Sequence, residues 1–279
     1  MHVKTSFSVG LLAMLGAVNA AGPRCSTSDP PAEFFEKSLE MNAREKAVKQ
    51  AGILRARAPI TVNTWFHVVA ASDAVEDANI SDEVLQKQLE VLNSNFAPHD
   101  IQFNLSGTTR TINSTWSDNT DTLVMKESLR KGNYATLNLY FQRKTLPGGS
   151  SGYCTFPGIV EEGTIDFFND GCVIDAQTTP GGSAAPYNEG KTSTHEVGHW
   201  FGLYHTFQGG CNGGDSIDDT PAQASYSSGC PIGRDSCPDL PGLDPIHNYM
   251  DYSDDSCYEE FTPDQDARMH SNWEYYRTV

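Results

Sequence analysis

The chain has 279 residues with 38% hydrophobic and 20% charged side chains, which supports a sizeable globular core and argues against wholesale disorder. Its formal net charge is −17, with 36 acidic residues against 19 Lys+Arg. That balance excludes a nucleic-acid binder, which needs basic surface to neutralise phosphates.

The first 20 residues read as an export signal: Lys4 supplies a positive start, Val9 to Val18 an apolar run, and Val18-Asn19-Ala20 the small residues before a cleavage point. The run is well short of the roughly 20 residues a membrane span needs, and no later segment is apolar enough. The mature protein is therefore expected to be secreted, with no membrane anchor. Three Asn-x-Ser/Thr sequons, at Asn79, Asn104 and Asn113, fit a glycosylated secretory product. An oxidising compartment favours disulfides among the seven cysteines, and the odd number leaves one thiol over.

Residues 21–57 are rich in charge and helix formers, from Phe34-Phe35-Glu36-Lys37 through Lys46-Ala47-Val48-Lys49, and close on Arg55-Ala56-Arg57. We read them as a removable prosegment; a helical extension of the main domain is the plainer alternative. From Ile60 the period becomes two: Ile60, Val62, Thr64, Phe66 and Val68 alternate with Thr61, Asn63, Trp65 and His67, predicting a strand. Ser81 can cap a helix whose apolar face is Leu85, Leu89, Leu92 and Phe96, stopped by Pro98. Ile101, Phe103 and Leu105 alternate again, as do Leu137, Leu139 and Phe141. After Thr206 the chain is loop-rich, until Thr262, Pro263 and Gln265 announce a capped final helix. Residues 58–279 thus form one domain, with an ordered first half and a cysteine-rich second half.

The chemistry is concentrated in His195-Glu196-Val197-Gly198-His199-Trp200-Phe201-Gly202-Leu203-Tyr204-His205. On a helix, His195 and His199 share a face and can hold one ion, while Glu196 can reach the water beside it. A glycine that adopts a left-handed conformation at Gly202 would turn the chain and return His205 to the same ion. Three imidazoles and a water make the open site of catalytic zinc. Histidines that merely pack are the alternative, but five fixed residues in eleven positions recur by chance at well below about 10⁻⁶ per starting point. His247-Asn248-Tyr249-Met250-Asp251-Tyr252 follows, and a methionine turn after the extended zinc motif is the metzincin arrangement.

HEVGHWFGLYHTF, the spaced cysteines and NYMDY resemble the pappalysin-like metzincins, in particular the secreted fungal extracellular metalloproteases. The resemblance covers about residues 58 to 279. It implies an α+β metzincin-like zinc peptidase: a mixed twisted sheet, an active-site helix, and a loop-rich, disulfide-bonded lower half. It further implies His195, His199 and His205 as zinc ligands, Glu196 as general base and Met250 beneath the ligands. Tyr252 would support the reaction intermediate, though it is equally a plausible core aromatic. The late cysteines would pair Cys211–Cys237 and Cys230–Cys257, one of three pairings the sequence permits, leaving Cys154–Cys172 as a third bridge. Cys25 would then be a latency switch whose sulfur takes the fourth zinc position; an unpaired thiol or a misassigned bridge are the alternatives. Calcium, found in some relatives, would use Asp215-Ser216-Ile217-Asp218-Asp219-Thr220, unless that loop is simply solvated.

The expected activity is zinc-dependent hydrolysis of internal peptide bonds, by a monomer acting on proteins or peptides, with the strand near Ser151-Gly152-Tyr153 as the cleft rim. A zinc-bearing module without turnover and a zinc hydrolase of other amides are the rival functions.

Overall fold

The computed structural model describes residues 24–52, 57–145 and 149–278. The export signal over 1–20 and the pair Arg55-Ala56 lie outside them. In chain order the elements are α1 (Ala32–Gln50), β1 (Ile60–Ala70), α2 (Asp82–Phe96), β2 (Ile101–Ile112), α3 (Ser114–Ser117), α4 (Thr122–Leu129), β3 (Leu137–Gln142), β4 (Gly152–Cys154), α5 (Ile165–Asn169), β5 (Cys172–Asp175), α6 (Lys191–Trp200) and α7 (Pro263–Asn272). Among the described residues, no helix is long and apolar enough to cross a membrane.

The strands form one sheet in the order β2-β1-β3-β5-β4. Only β4 runs antiparallel to its neighbour; β2, β1, β3 and β5 are mutually parallel. Parallel neighbours need a crossover, and α2 supplies it between β1 and β2. The Ser81 hydroxyl accepts from the Val84 amide and starts that helix, which buries Leu85, Leu92 and Phe96. These side chains join Val62, Phe66, Leu139, Ile174, Val197 and Trp200 in the main core.

Alternating exposure holds for β2 and for the start of β1, but β1 from Phe66 onward and all of β3 are buried on both faces. The reason is a second apolar layer, in which Val69, Met125, Tyr140 and Val173 pack with Trp116, Leu129 and Tyr153. His67, which alternates with the apolar positions of β1, is therefore buried as well, bonded to Thr109 and Asn138.

After α6 the chain makes only short turns until α7, pinned by Cys211–Cys237 and Cys230–Cys257. The third bridge, Cys154–Cys172, ties β4 to β5 in the sheet, and Cys25 is free and buried. Helix α1 packs on α7. Phe34 and Met41 are buried against Tyr204, Tyr276 and Phe156, worth about 1.5–3 kcal/mol each. Its exposed ion pairs, Lys46–Asp218 and Lys49–Asp264, contribute about 0–1 kcal/mol apiece, so apolar burial is what docks the helix.

Candidate metal centre

Helix α6 runs through the middle of the molecule, with Thr192 through Trp200 all buried. Gly190 at its N-cap has no capping side chain, and Asp255 substitutes by accepting from the amides of Glu189 (2.9 Å) and Lys191 (3.4 Å). At the other end the Gly202 amide donates to the His199 carbonyl and the Leu203 amide to the Gly198 carbonyl. Those two bonds define a Schellman ending, and Gly202 takes the left-handed conformation it needs, with φ +89°. The chain then doubles back and carries His205 to the helix face that bears His195 and His199.

Two carbonyls set the ring orientations. His195 Nδ1 donates to the Tyr249 carbonyl and His199 Nδ1 to the Leu203 carbonyl, each at 2.7 Å. With Nδ1 protonated, Nε2 of each ring presents a lone pair. His199 Nε2 and His205 Nε2 stand 3.0 Å apart, and His195 Nε2 is buried without a partner. Burial holds His199 down at about 4 and His195 and His205 well below the usual range, so all three rings are neutral, the form that binds metal. Cys25 Sγ joins them, and the four donor atoms lie within 4.8 Å of one another. Three imidazole nitrogens and one sulfur converging on a common point form a donor set that fits zinc.

Glu196 is fully buried beside this cluster. Its Oε2 accepts from the Cys25 thiol (3.4 Å) and the Thr27 hydroxyl (3.1 Å), while Oε1 has no partner. Burial pushes its pKa up to about 8. The Tyr252 hydroxyl lies 3.2 Å from His205 Nε2 and donates to the Cys25 carbonyl; burial pushes it above its ordinary range. Met250 lies under the helix, so close to Gly198 that a Cβ there would fall 2.4 Å from the sulfur. The turn carrying Met250 is held by Asn248, whose Oδ1 accepts from the Met250 amide and whose amide group pairs with Gln265, which completes the capping box that Thr262 begins at α7.

Residues 24–27 lie along β4. Cys25 bridges Gly152 in parallel register, the Ser26 amide donates to the Gly152 carbonyl (2.9 Å), the Ser151 amide to the Arg24 carbonyl (2.8 Å), and the Cys154 amide to the Thr27 hydroxyl (2.9 Å). The Arg24 guanidinium is buried in its own recess. It pairs with Asp255, donates to the Ser253 carbonyl and the Tyr258 hydroxyl, and sits 4.3 Å and 4.7 Å from the ring centres of Tyr187 and Tyr258.

The fold thus brings Cys25, His195, Glu196, His199, His205 and Tyr252 together, with Met250 below. Sequence reasoning missed Thr27, Tyr187, Asp255 and Tyr258; Arg24 beside Cys25 was the one local signal, a cation that needs an acid. The segment 215–220 contributes to no cluster of three or more converging His, Cys, Asp or Glu side chains among the described residues. Asp218 is instead engaged by Lys46 and Asn42 of α1. Asp215 Oδ2, Asp219 Oδ1 and Thr220 Oγ1 are nonetheless buried without partners. A second cluster, Cys230, His247 and Cys257, offers no thiolate because its cysteines are bonded to each other.

The family model described as pregnancy-associated plasma protein-A matches residues 118–274. An extracellular metalloprotease of Colletotrichum graminicola is 56% identical over 96% of this chain and 97% of its own length. An extracellular metalloprotease of Verticillium alfalfae is 57% identical over 94% of each chain. Among solved structures, mature mirolysin of Tannerella forsythia in complex with a cleaved peptide superposes with a TM-score of 0.65 at 32% identity, covering 77% of this chain and 92% of that one. A promirolysin mutant superposes with a TM-score of 0.68 at 29% identity, covering 87% and 86%.

Proposed function

Because the chain belongs to the pappalysin family of metallopeptidases, we propose that it is an exported zinc endopeptidase made as a latent precursor. In this proposal residues 1–20 are the export signal, 21–57 the prosegment and 58–279 the catalytic domain. The observation that carries it is the convergence of three neutral imidazoles on one point with a buried carboxylate beside them.

His195, His199 and His205 would hold the metal. When bound, zinc supplies a Lewis acid for the scissile carbonyl and lowers the pKa of the water beside it from about 15.7 toward 7. Glu196 Oε2 takes a proton from the attacking water and returns it to the departing amine; such proton transfer contributes about 10²–10⁴-fold. The Tyr252 hydroxyl donates to the carbonyl oxygen as charge develops there. The free edge of β4 pairs with the extended backbone of the substrate. In the precursor the Cys25 sulfur would bind the metal beside the three histidines while residues 24–27 occupy the cleft, so no peptide can enter. Once they leave, the recess around Asp255, Tyr187 and Tyr258 is suited to an arginine or lysine side chain of the substrate. Calcium belongs to the proposal as well: the unpartnered oxygens of Asp215, Asp219 and Thr220 are hard donors of the kind it takes.

The test is incubation of the processed protein with casein and a peptide library, with and without a zinc chelator, beside Glu196→Ala. Cleavage that chelation and the substitution each abolish, by a variant that still folds, is expected. Cleavage that survives chelation ends the proposal.

A further inference from the structure

Strand β2 is the edge of the sheet opposite the cleft. It is twelve residues long and, among the described residues, pairs with no strand but β1; on its other side the Asn93 side chain of α2 bonds the Phe103 amide and carbonyl, and the rest of that row of backbone groups has no strand partner. An edge of that length is a template for unwanted strand addition and calls for protection. All three sequons surround it. Asn104 is exposed within β2 and donates to Asn63 of neighbouring β1. A register shift between Thr64 and Trp65 changes which residues of β2 face the core. Beyond it, Arg110 lies beside α2, pairing with Asp82 and donating to Asn79 Oδ1. Asn113 directly follows Ile112, the last residue of β2.

The hydrogen bonding leaves each acceptor nitrogen usable. Asn113 caps α3 through Oδ1, leaving Nδ2 free. Asn79 Nδ2 makes one bond, to the Asp73 carbonyl, and Asn104 Nδ2 makes one, to Asn63. A glycosylated amide keeps one N–H, so the existing bonds survive the modification.

We propose that Asn79, Asn104 and Asn113 carry N-linked oligosaccharides that fence the β2 edge on both faces and at its end, so that extended peptides can add to the sheet only at β4. In the transfer each Nδ2 gives up one proton and bonds to the anomeric carbon of an oligosaccharide, which leaves its polyprenyl-pyrophosphate donor. The inference rests on the export reading, because that donor belongs to the secretory route.

The experiment uses the chain secreted from a eukaryotic host. Glycan release in heavy-oxygen water, followed by peptide mapping, should convert all three asparagines to labelled aspartate. Endoglycosidase treatment of the folded protein should leave casein cleavage unchanged, since the fence stands away from β4, but shift the monomer toward larger species on gel filtration. Ser106→Ala and Thr115→Val remove two sequons without altering either asparagine, and should show part of the same shift if folding of the untreated protein is in question. Unmodified asparagines in the secreted protein overturn the proposal, as does a deglycosylated protein that self-associates no more than the original. Loss of the peptidase reading is seen separately, as sugar-bearing protein that cleaves nothing.

Discussion

Replacing Gly202 with alanine tests the geometry that brings His205 back to His195 and His199. At φ +89° an L side chain costs about 1–2 kcal/mol in backbone strain alone. The new Cβ would also fall 2.3 Å from Asn272 Nδ2 and 2.8 Å from Phe34 Cζ. Asn272 cannot swing aside freely, because its Nδ2 donates to the buried Phe201 carbonyl at 2.8 Å. Overpacking of that kind adds about 1–3 kcal/mol, for a total of about 2–5 kcal/mol. For a domain of this size the melting temperature should drop by about 5–15 °C. Urea unfolding followed by tryptophan fluorescence measures the loss, and zinc per mole of protein measures whether His205 still reaches the ion. Adding Asn272→Ala should recover part of the steric share and none of the backbone share. A loss under about 1 kcal/mol with full zinc content would refute the reasoning, since it would mean that the turn does not depend on glycine.

Four further outcomes follow from the same geometry. Tyr252→Phe should keep zinc and fold while losing about 10²–10³-fold in kcat, the usual cost of a lost oxyanion donor; an unchanged kcat assigns Tyr252 to packing. Cys25→Ser should give a precursor that cleaves casein before processing, and continued latency would count against the switch. Calcium should raise the melting temperature of the wild type but not of Asp215→Asn, as read by scanning calorimetry. His67 has its pKa lowered by burial to about 4, below the value of about 6.5 expected when unfolded. The unfolded chain therefore takes up a proton first as pH falls, and stability that is complete above about 6.5 is lost toward 4, by about 3 kcal/mol. Urea titrations at a series of pH values should show that His67→Gln flattens this dependence, and an identical slope would rule His67 out as its source.

The parts of the fold that the sequence disclosed are those set by neighbours in the chain. Ser81 and Thr262 cap helices three residues away, and the Leu85–Phe96 face repeats at helical spacing, so α2 and α7 were readable. His195, His199 and Gly202 likewise form their geometry within a few turns. Strand β5 was not readable, because four residues carry no period, and α3, α4 and α5 are too short for one. Nor was the Arg24 recess, since Asp255 lies 231 residues along the chain and no spacing rule links them. The burial of His67 was not readable for a similar reason: the apolar layer on its side of the sheet comes from Met125, Tyr140 and Val173. Periodicity reports one buried face, and only tertiary packing reveals a second.

The centre draws on Arg24 and Cys25 at one end of the chain and on Met250, Tyr252 and Tyr258 near the other. A nascent chain that has not yet reached residue 250 has no methionine turn and no recess for Arg24, whereas residues 24–27 emerged from the ribosome long before. In the latency proposed above, restraint is therefore synthesised ahead of the weapon it restrains. Under that proposal no uninhibited copy exists during biosynthesis.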